Sequence, residues 1–144
     1  MRENMGLYRG KRKDTGEWVE GNLFENDNAH FPMVLIGHII MSRDKHFQQD
    51  LNFDGYDLCE VDPETVGQFT GMTDIGGRRI FEGDIMKTAV TGLAPKTGAV
   101  LYQDGAFGLR CTDGSALFLC FVAESCTVIG NIHDTPVLTK EVTP

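Results

Sequence analysis

A chain of 144 residues with 41 % hydrophobic content, 17 glycines and 5 prolines can fill one core or two small lobes, which excludes collagen-like and disordered classes. Its net charge of −8 gives a mean field that repels nucleic acid and anionic membrane. No apolar run reaches the ~20 residues needed to span a bilayer, so no membrane partner is expected.

In chain order, Leu7 to Arg12 and Glu17 to Phe24 bracket Lys13-Asp14-Thr15-Gly16. The second segment alternates between polar and apolar positions, which predicts a β-hairpin. Trp18 is expected to anchor the core edge. Basic charge gathers here, with Arg9, Lys11, Arg12 and Lys13 beside Tyr8 and Trp18, whereas acids dominate from Glu20 to Glu64. The ordinary reading of such a run is a solvated strand end. The sharper one is a nucleic-acid contact made by Arg9, Lys11, Arg12, Lys13 and Trp18, combining cations with a stacking ring.

Asn26 to Ala29 reads as a polar loop, and Phe31 to Met41 follows as an apolar, β-branched run without clean alternation. Such a strand is expected to be covered on both faces, either by lying centrally or by meeting another subunit. Ile36, Ile39, Ile40 and Met41 are its candidate interaction residues, and a second copy of the chain is the expected partner. His30, His38 and His46 recur every eight residues. Along one strand that spacing separates the rings by ~26 Å, too far to share a metal.

Asp50 to Gly55 matches the first half of a calcium-loop pattern, D-x-N-x-D-G. The second half fails, because position twelve is Val61 and Glu60 stands one place early. An Asx-rich turn with Asp54-Gly55 at its tip is expected instead. Neither metal nor cofactor is expected from these residues.

Val61 to Met86 is the densest run of turn chemistry. Asp62 can cap and Pro63 open one helical turn. Gln68 to Met72 and Arg79 to Phe81 then flank a connection with paired glycines, and Glu82-Gly83-Asp84 turns again. Gly67, Gly71, Gly83 and Gly105 are expected to serve backbone conformation or close packing. Strands are predicted over Asp84 to Val90, Ala99 to Tyr102, Ala106 to Arg110, Leu117 to Val122 and Cys126 to Ile132. Gln103-Asp104-Gly105 marks the clearest hairpin between them.

These elements predict a mainly β fold with little helix. An SH3-like small β-barrel in the C-terminal half would pack with an N-terminal β-hairpin and strand lobe. The division falls at residues 1–60 and 61–144. The core should draw on Trp18, Val19, Leu23, Val34, Ile36, Val66, Phe69, Ile80, Phe81, Ile85, Val100, Tyr102, Phe107, Leu109, Leu117, Leu119, Phe121, Val128 and Ile132. Cys59, Cys111, Cys120 and Cys126 lack the paired spacing of zinc sites, and no secretory pattern precedes them. Reduced thiols and a cytoplasmic location are therefore expected.

The chain resembles the YopX family of phage and prophage proteins. The resemblance rests on Tyr8 to Arg12 with Gly16 to Gly21, on Asp62 to Gly71, on Ile80 to Ile85 and on Val128 to Ile132, in that order. Residues 26–58 carry none of its motifs. The resemblance implies a mainly β protein with an SH3-type barrel and brings no catalytic residue with it.

Three functions compete. The first is a non-enzymatic interaction or assembly protein of a phage or prophage, binding a second copy, a host protein or a phage protein. The second is a nucleic-acid-binding small barrel using the basic hairpin. The third is a hydrolase built on Asp62, Asp74, Glu82, Asp84, Asp104 and His133, although each acid stands where a turn would place it anyway.

Overall fold

The computed structural model describes residues 6–26, 30, 32–43 and 51–140. Within them the chain is mainly β, in antiparallel sheets, and it divides into two units that meet in sequence between Val66 and Gly67.

The first unit contains β1 (Tyr8–Lys11), β2 (Trp18–Asn26), β3 (Met33–Arg43) and β4 (Leu51–Glu60), then a 3₁₀ turn over Pro63–Thr65. Its strands lie in the order β4-β3-β2-β1, so every neighbour in space is a neighbour in sequence. The β1–β2 hairpin pairs Tyr8 with Gly21 and Lys11 with Trp18, as the alternation predicts. Ile36 and Val61 are fully buried here. Gly10 allows this, because a Cβ at that position would stand 3.1 Å from Ile36 Cδ1 and 3.2 Å from Val61 Cβ.

The 3₁₀ turn forms for the expected reason. Asp62 Oδ1 accepts the Glu64 N–H at 3.1 Å, and Pro63 occupies the first position, where a missing N–H leaves nothing unsatisfied. Thr65 then joins the turn to β1. Its hydroxyl accepts the Lys11 N–H at 2.8 Å and donates to the Asp62 carbonyl at 2.7 Å.

The second unit holds the β5 (Gly67–Thr73) and β6 (Arg79–Phe81) pair. It also holds a five-stranded sheet of β7 (Asp84–Thr88), β8 (Thr97–Gln103), β9 (Ala106–Cys111), β10 (Ala116–Phe118) and β11 (Cys126–Asn131), in the order β10-β9-β8-β7-β11. Asp104 and Gly105, at φ 54° and 82°, give β8–β9 the two-residue turn read from the sequence. Ile80, Met86, Val100, Leu109, Leu119, Cys126 and Val128 form the core.

Two corrections concern the strand after Ser115. The expected strand Leu117 to Val122 ends at Phe118, and Leu119–Val122 forms α1, one helical turn followed by a 3₁₀ turn over Ala123–Ser125. Helical spacing puts Leu119 and Ala123, four apart, into the core and turns Phe121 outward, 82 % exposed. Phe121 is therefore not a core residue. Tyr102 is not one either, since it lies exposed near the β8–β9 turn with its ring edge-on to Phe107 at 5.0 Å. The chain ends its described part with a short helix, α2 (Val137–Lys140).

Candidate interaction surface

β2 accompanies β3 only from Met33 to Gly37, where Asn26 and Asn22 mark the two ends of the pairing. Beyond Gly37, β3 is paired among the described residues by β4 alone, so the hairpin continues as a two-stranded arm. Within the chain, Ile36 is buried whereas Ile39, Ile40 and Met41 are exposed, so of the two expected kinds of cover a central position holds only as far as Gly37. Phe31 lies outside the described residues.

β4 itself departs from expectation. Leu51 to Glu60 is an extended strand, so Asp54-Gly55 is not the tip of an Asx-rich turn, and Asn52 and Asp54 of the calcium-like pattern lie along that strand. Asp50 and His46 lie outside the described residues. The pair Asp54-Gly55 marks a β-bulge, because Ile40 faces Gly55 while Met41 faces Phe53. Among the described residues no group of His, Cys, Asp and Glu is placed to hold a metal ion.

Cross-strand partners share a face, and this sorts the arm into two unlike sides. One side carries the rungs Ile39–Tyr56, Met41–Phe53 and Arg43–Leu51. Its five apolar side chains are between 45 % and 68 % exposed. The other side carries His38–Asp57, Ile40–Gly55 and Ser42–Asn52. An apolar ladder thus faces solvent on one side, and Ile40 is the single large apolar residue opposite it among the described residues.

The basic hairpin is organised differently from a free cationic patch. Arg9 is buried with its guanidinium 4.8 Å from the Trp18 ring centroid, and Lys11 Nζ lies 5.4 Å from the same ring. Arg12 makes a two-pronged contact with Asp14 at 2.8 and 2.7 Å, which holds the Asp14 carboxyl below its ordinary range and raises the guanidinium. Lys13 pairs with Glu60 at 3.0 Å.

The scattered acids are engaged by backbone. Asp62 caps the 3₁₀ turn, Asp74 accepts from three amides, and Asp84 Oδ2 accepts the Phe81 N–H at 2.8 Å. Glu82 Oε1 stands 3.5 Å from the Gln68 nitrogen, and Asp104 sits within its turn. The backbone N–H of His133 donates to Asn131 Oδ1 at 3.0 Å. Sequence reasoning missed the depth of Asp74 and Asp84, both buried. A cleft of about 280 Å³ on the second unit is lined by Leu101, Phe107, Leu109, Leu117 and Phe118, with Asp104 and Arg110 at its polar side.

The YopX protein family matches residues 7–140. The chain belongs to the YopX family. Its fold is similar to that of the crystal structure of protein EF1440 from Enterococcus faecalis, with a TM-score of 0.58 and 22 % identity, covering 92 % of this chain and 96 % of that one. No curated protein matches it. Within this YopX chain the motif residues Asp62, Pro63, Gly83 and Asp84 build turns and caps, while the apolar ladder lies entirely in the segment 26–58 that carries no motif.

Proposed function

We propose that the protein is a non-enzymatic interaction and assembly component of a phage or prophage, and that the apolar face of the β3–β4 arm is its contact surface. The exposed ladder Ile39, Tyr56, Met41, Phe53 and Leu51 carries this reading, since a contiguous apolar face is uncommon on a soluble surface unless something covers it. The engagement of Arg12 by Asp14 and of Lys13 by Glu60 favours a protein partner over nucleic acid. Four free cysteines accord with the reducing cytoplasm of a bacterial host. The order β10-β9-β8-β7-β11, with helical turns before β11, supports reading the second unit as an SH3-like small barrel.

The test is a cross-linked pull-down from induced host lysate with the wild-type chain and Phe53→Asp. A set of proteins, including the chain itself, recovered by the first and lost by the second supports the reading. Identical recovery by both would remove it.

A further inference from the structure

We infer that the cleft on the second unit takes the C-terminal aromatic residue of a partner polypeptide, its ring in the cleft and its α-carboxylate on Arg110. The site is separate from the β3–β4 arm and does not depend on the reading given to that face.

The sequence hollows one face of the sheet here. Register puts Leu101, Gly108 and Phe118 on one rung across β8, β9 and β10, with Ala99, Arg110 and Ala116 on the next. Both rungs lie on the face opposite the buried Val100 and Leu109. Ala106, Gly108 and Ala116 form the floor of the cleft, with a methyl group or less at each position. No positive φ holds position 108 to glycine, so what its missing side chain provides is depth. Leu101 and Phe118 are the walls, two strand spacings or ~10 Å apart at the backbone. A flat ring fits between them. The volume of about 280 Å³ is ample, since an apolar cavity of about 150 Å³ already holds benzene.

Arg110 supplies the charge. Its Nη2 donates to Gln103 Oε1 at 3.2 Å, and because the two residues stand two rungs apart on neighbouring strands, they meet over the Leu101–Gly108 rung, at the mouth of the cleft. Arg12, Lys13 and Lys96 are paired with Asp14, Glu60 and Asp113, whereas Arg110 makes no ion pair among the described residues. A guanidinium with donors to spare matches a carboxylate. Asp104 lines the same cleft and opposes more than one negative charge, which disfavours a phosphate or a nucleotide.

The low side of the cleft opens onto a strand edge, and this favours a polypeptide over a free amino acid. The Cys111 N–H donates to the Ser115 carbonyl at 2.8 Å, which sets the parity of the β9–β10 pairing. Leu117 therefore exchanges hydrogen bonds with Leu109, and the N–H and C=O of Ala116 face away from β9. β10 ends the sheet, and Ala116 and Phe118 are exposed. A chain leaving the cleft over the Ala116 methyl meets a donor and an acceptor that β9 does not use, as in recognition by strand addition.

Isothermal titration calorimetry and amide NMR on the full chain test this with a short peptide ending in phenylalanine. The peptide acid is expected to bind saturably at up to millimolar concentration and to shift the amides of Gly108 and Ala116. Its C-terminal amide, the same peptide ending in alanine, free phenylalanine and phenyl phosphate should each bind at least tenfold more weakly. Arg110→Gln should abolish the preference for acid over amide, and Phe118→Ser should weaken the acid tenfold or more. Lys87→Gln, which removes an exposed cation from β7, should change neither. The NMR spectra of the variants separate loss of binding from loss of the fold.

No binding of the acid, equal binding of acid and amide, or free phenylalanine or phenyl phosphate binding as tightly as the peptide each overturns the inference. So does an unchanged response in Arg110→Gln or Phe118→Ser, or a set of shifts confined to residues outside the cleft.

Discussion

The Asp74 carboxylate, in the turn between β5 and β6, accepts the backbone N–H of Val128 in β11 at 3.0 Å, across 54 positions of sequence. Its other oxygen accepts the N–H groups of Gly76 and Arg78, each at 2.9 Å. One buried acid therefore shapes its own turn and fastens that turn to the five-stranded sheet.

Burial pushes the Asp74 carboxyl upward, but the amides of Val128, Arg78 and Gly76 outweigh it, so the group lies below its ordinary value. A depressed folded-state pKa contributes stability above the unfolded value near ~4, lost as pH falls through the folded value. Asp74→Asn presents one acceptor and one NH₂ to three donors, and should cost about 2 kcal/mol at neutral pH. The gap between wild type and variant should narrow as pH falls below ~4. Urea unfolding at several pH values checks both, and a gap that stays constant down to acid pH would contradict the account.

Three glycines separate conformation from packing. Gly83 has φ 91° with only ordinary contacts to Ile132 and His133 around a built Cβ, so Gly83→Val should cost about 1 to 2 kcal/mol through backbone strain. Gly105, at φ 82° with open space around it, should accept Asn within about 0.5 kcal/mol, because Asn visits that region readily. Gly67 is the opposite case: its φ is ordinary, but a Cβ would collide with the Glu82 carbonyl oxygen. Gly67→Ala should therefore cost more than Gly105→Ala. Equal thermal shifts for these two would disprove the distinction.

Leu119 and Phe121 should respond in reverse order to their size. Leu119→Ala removes a fully buried side chain and should cost about 2 to 5 kcal/mol. Phe121→Ser changes a ring that mainly meets Phe118 edge-on at 6.0 Å in solvent, and should change stability by under about 0.5 kcal/mol. Chemical denaturation of the two variants decides between this geometry and a continuous strand through Val122.

Thiol labelling should proceed in order of access. Cys120 is exposed and should react first, and Cys59 is half-buried. Burial raises the Cys111 thiol, and burial with the nearby Cys111 and Asp74 pushes Cys126 up to about 11. These two should react only as the protein unfolds. Mass spectrometry of a timed alkylation series gives the order. Early labelling of Cys126 would contradict its place in the core.

Turns were the legible part of this chain because their chemistry is local. Asp62-Pro63 and Asp104-Gly105 act where they stand, and the geometry forms with few distant partners. The exposed ladder was not legible, since the exposure of Ile39 and Met41 depends on where β2 stops pairing with β3, a property of two strands together. β4 was hidden by composition. Asp50, Asn52 and Asp54 resemble a loop until Leu51, Phe53 and Tyr56 are seen to face Arg43, Met41 and Ile39. The helical turn left a trace, in the four-residue spacing of Leu119 and Ala123. Asp74 left none, because a buried clamp and a solvated turn acid read alike.

The arm also imposes a parity on how this chain can vary in length. Beyond Gly37, β3 runs six more residues, ~20 Å, paired with β4. Adding or deleting two residues in each strand would move the ladder outward or inward by ~7 Å and keep it on the same side. A single residue in each would turn every rung over, setting the apolar side chains where the polar ones now stand. Reach can therefore change in even steps without altering which side the apolar ladder occupies, while an odd step exchanges one side for the other.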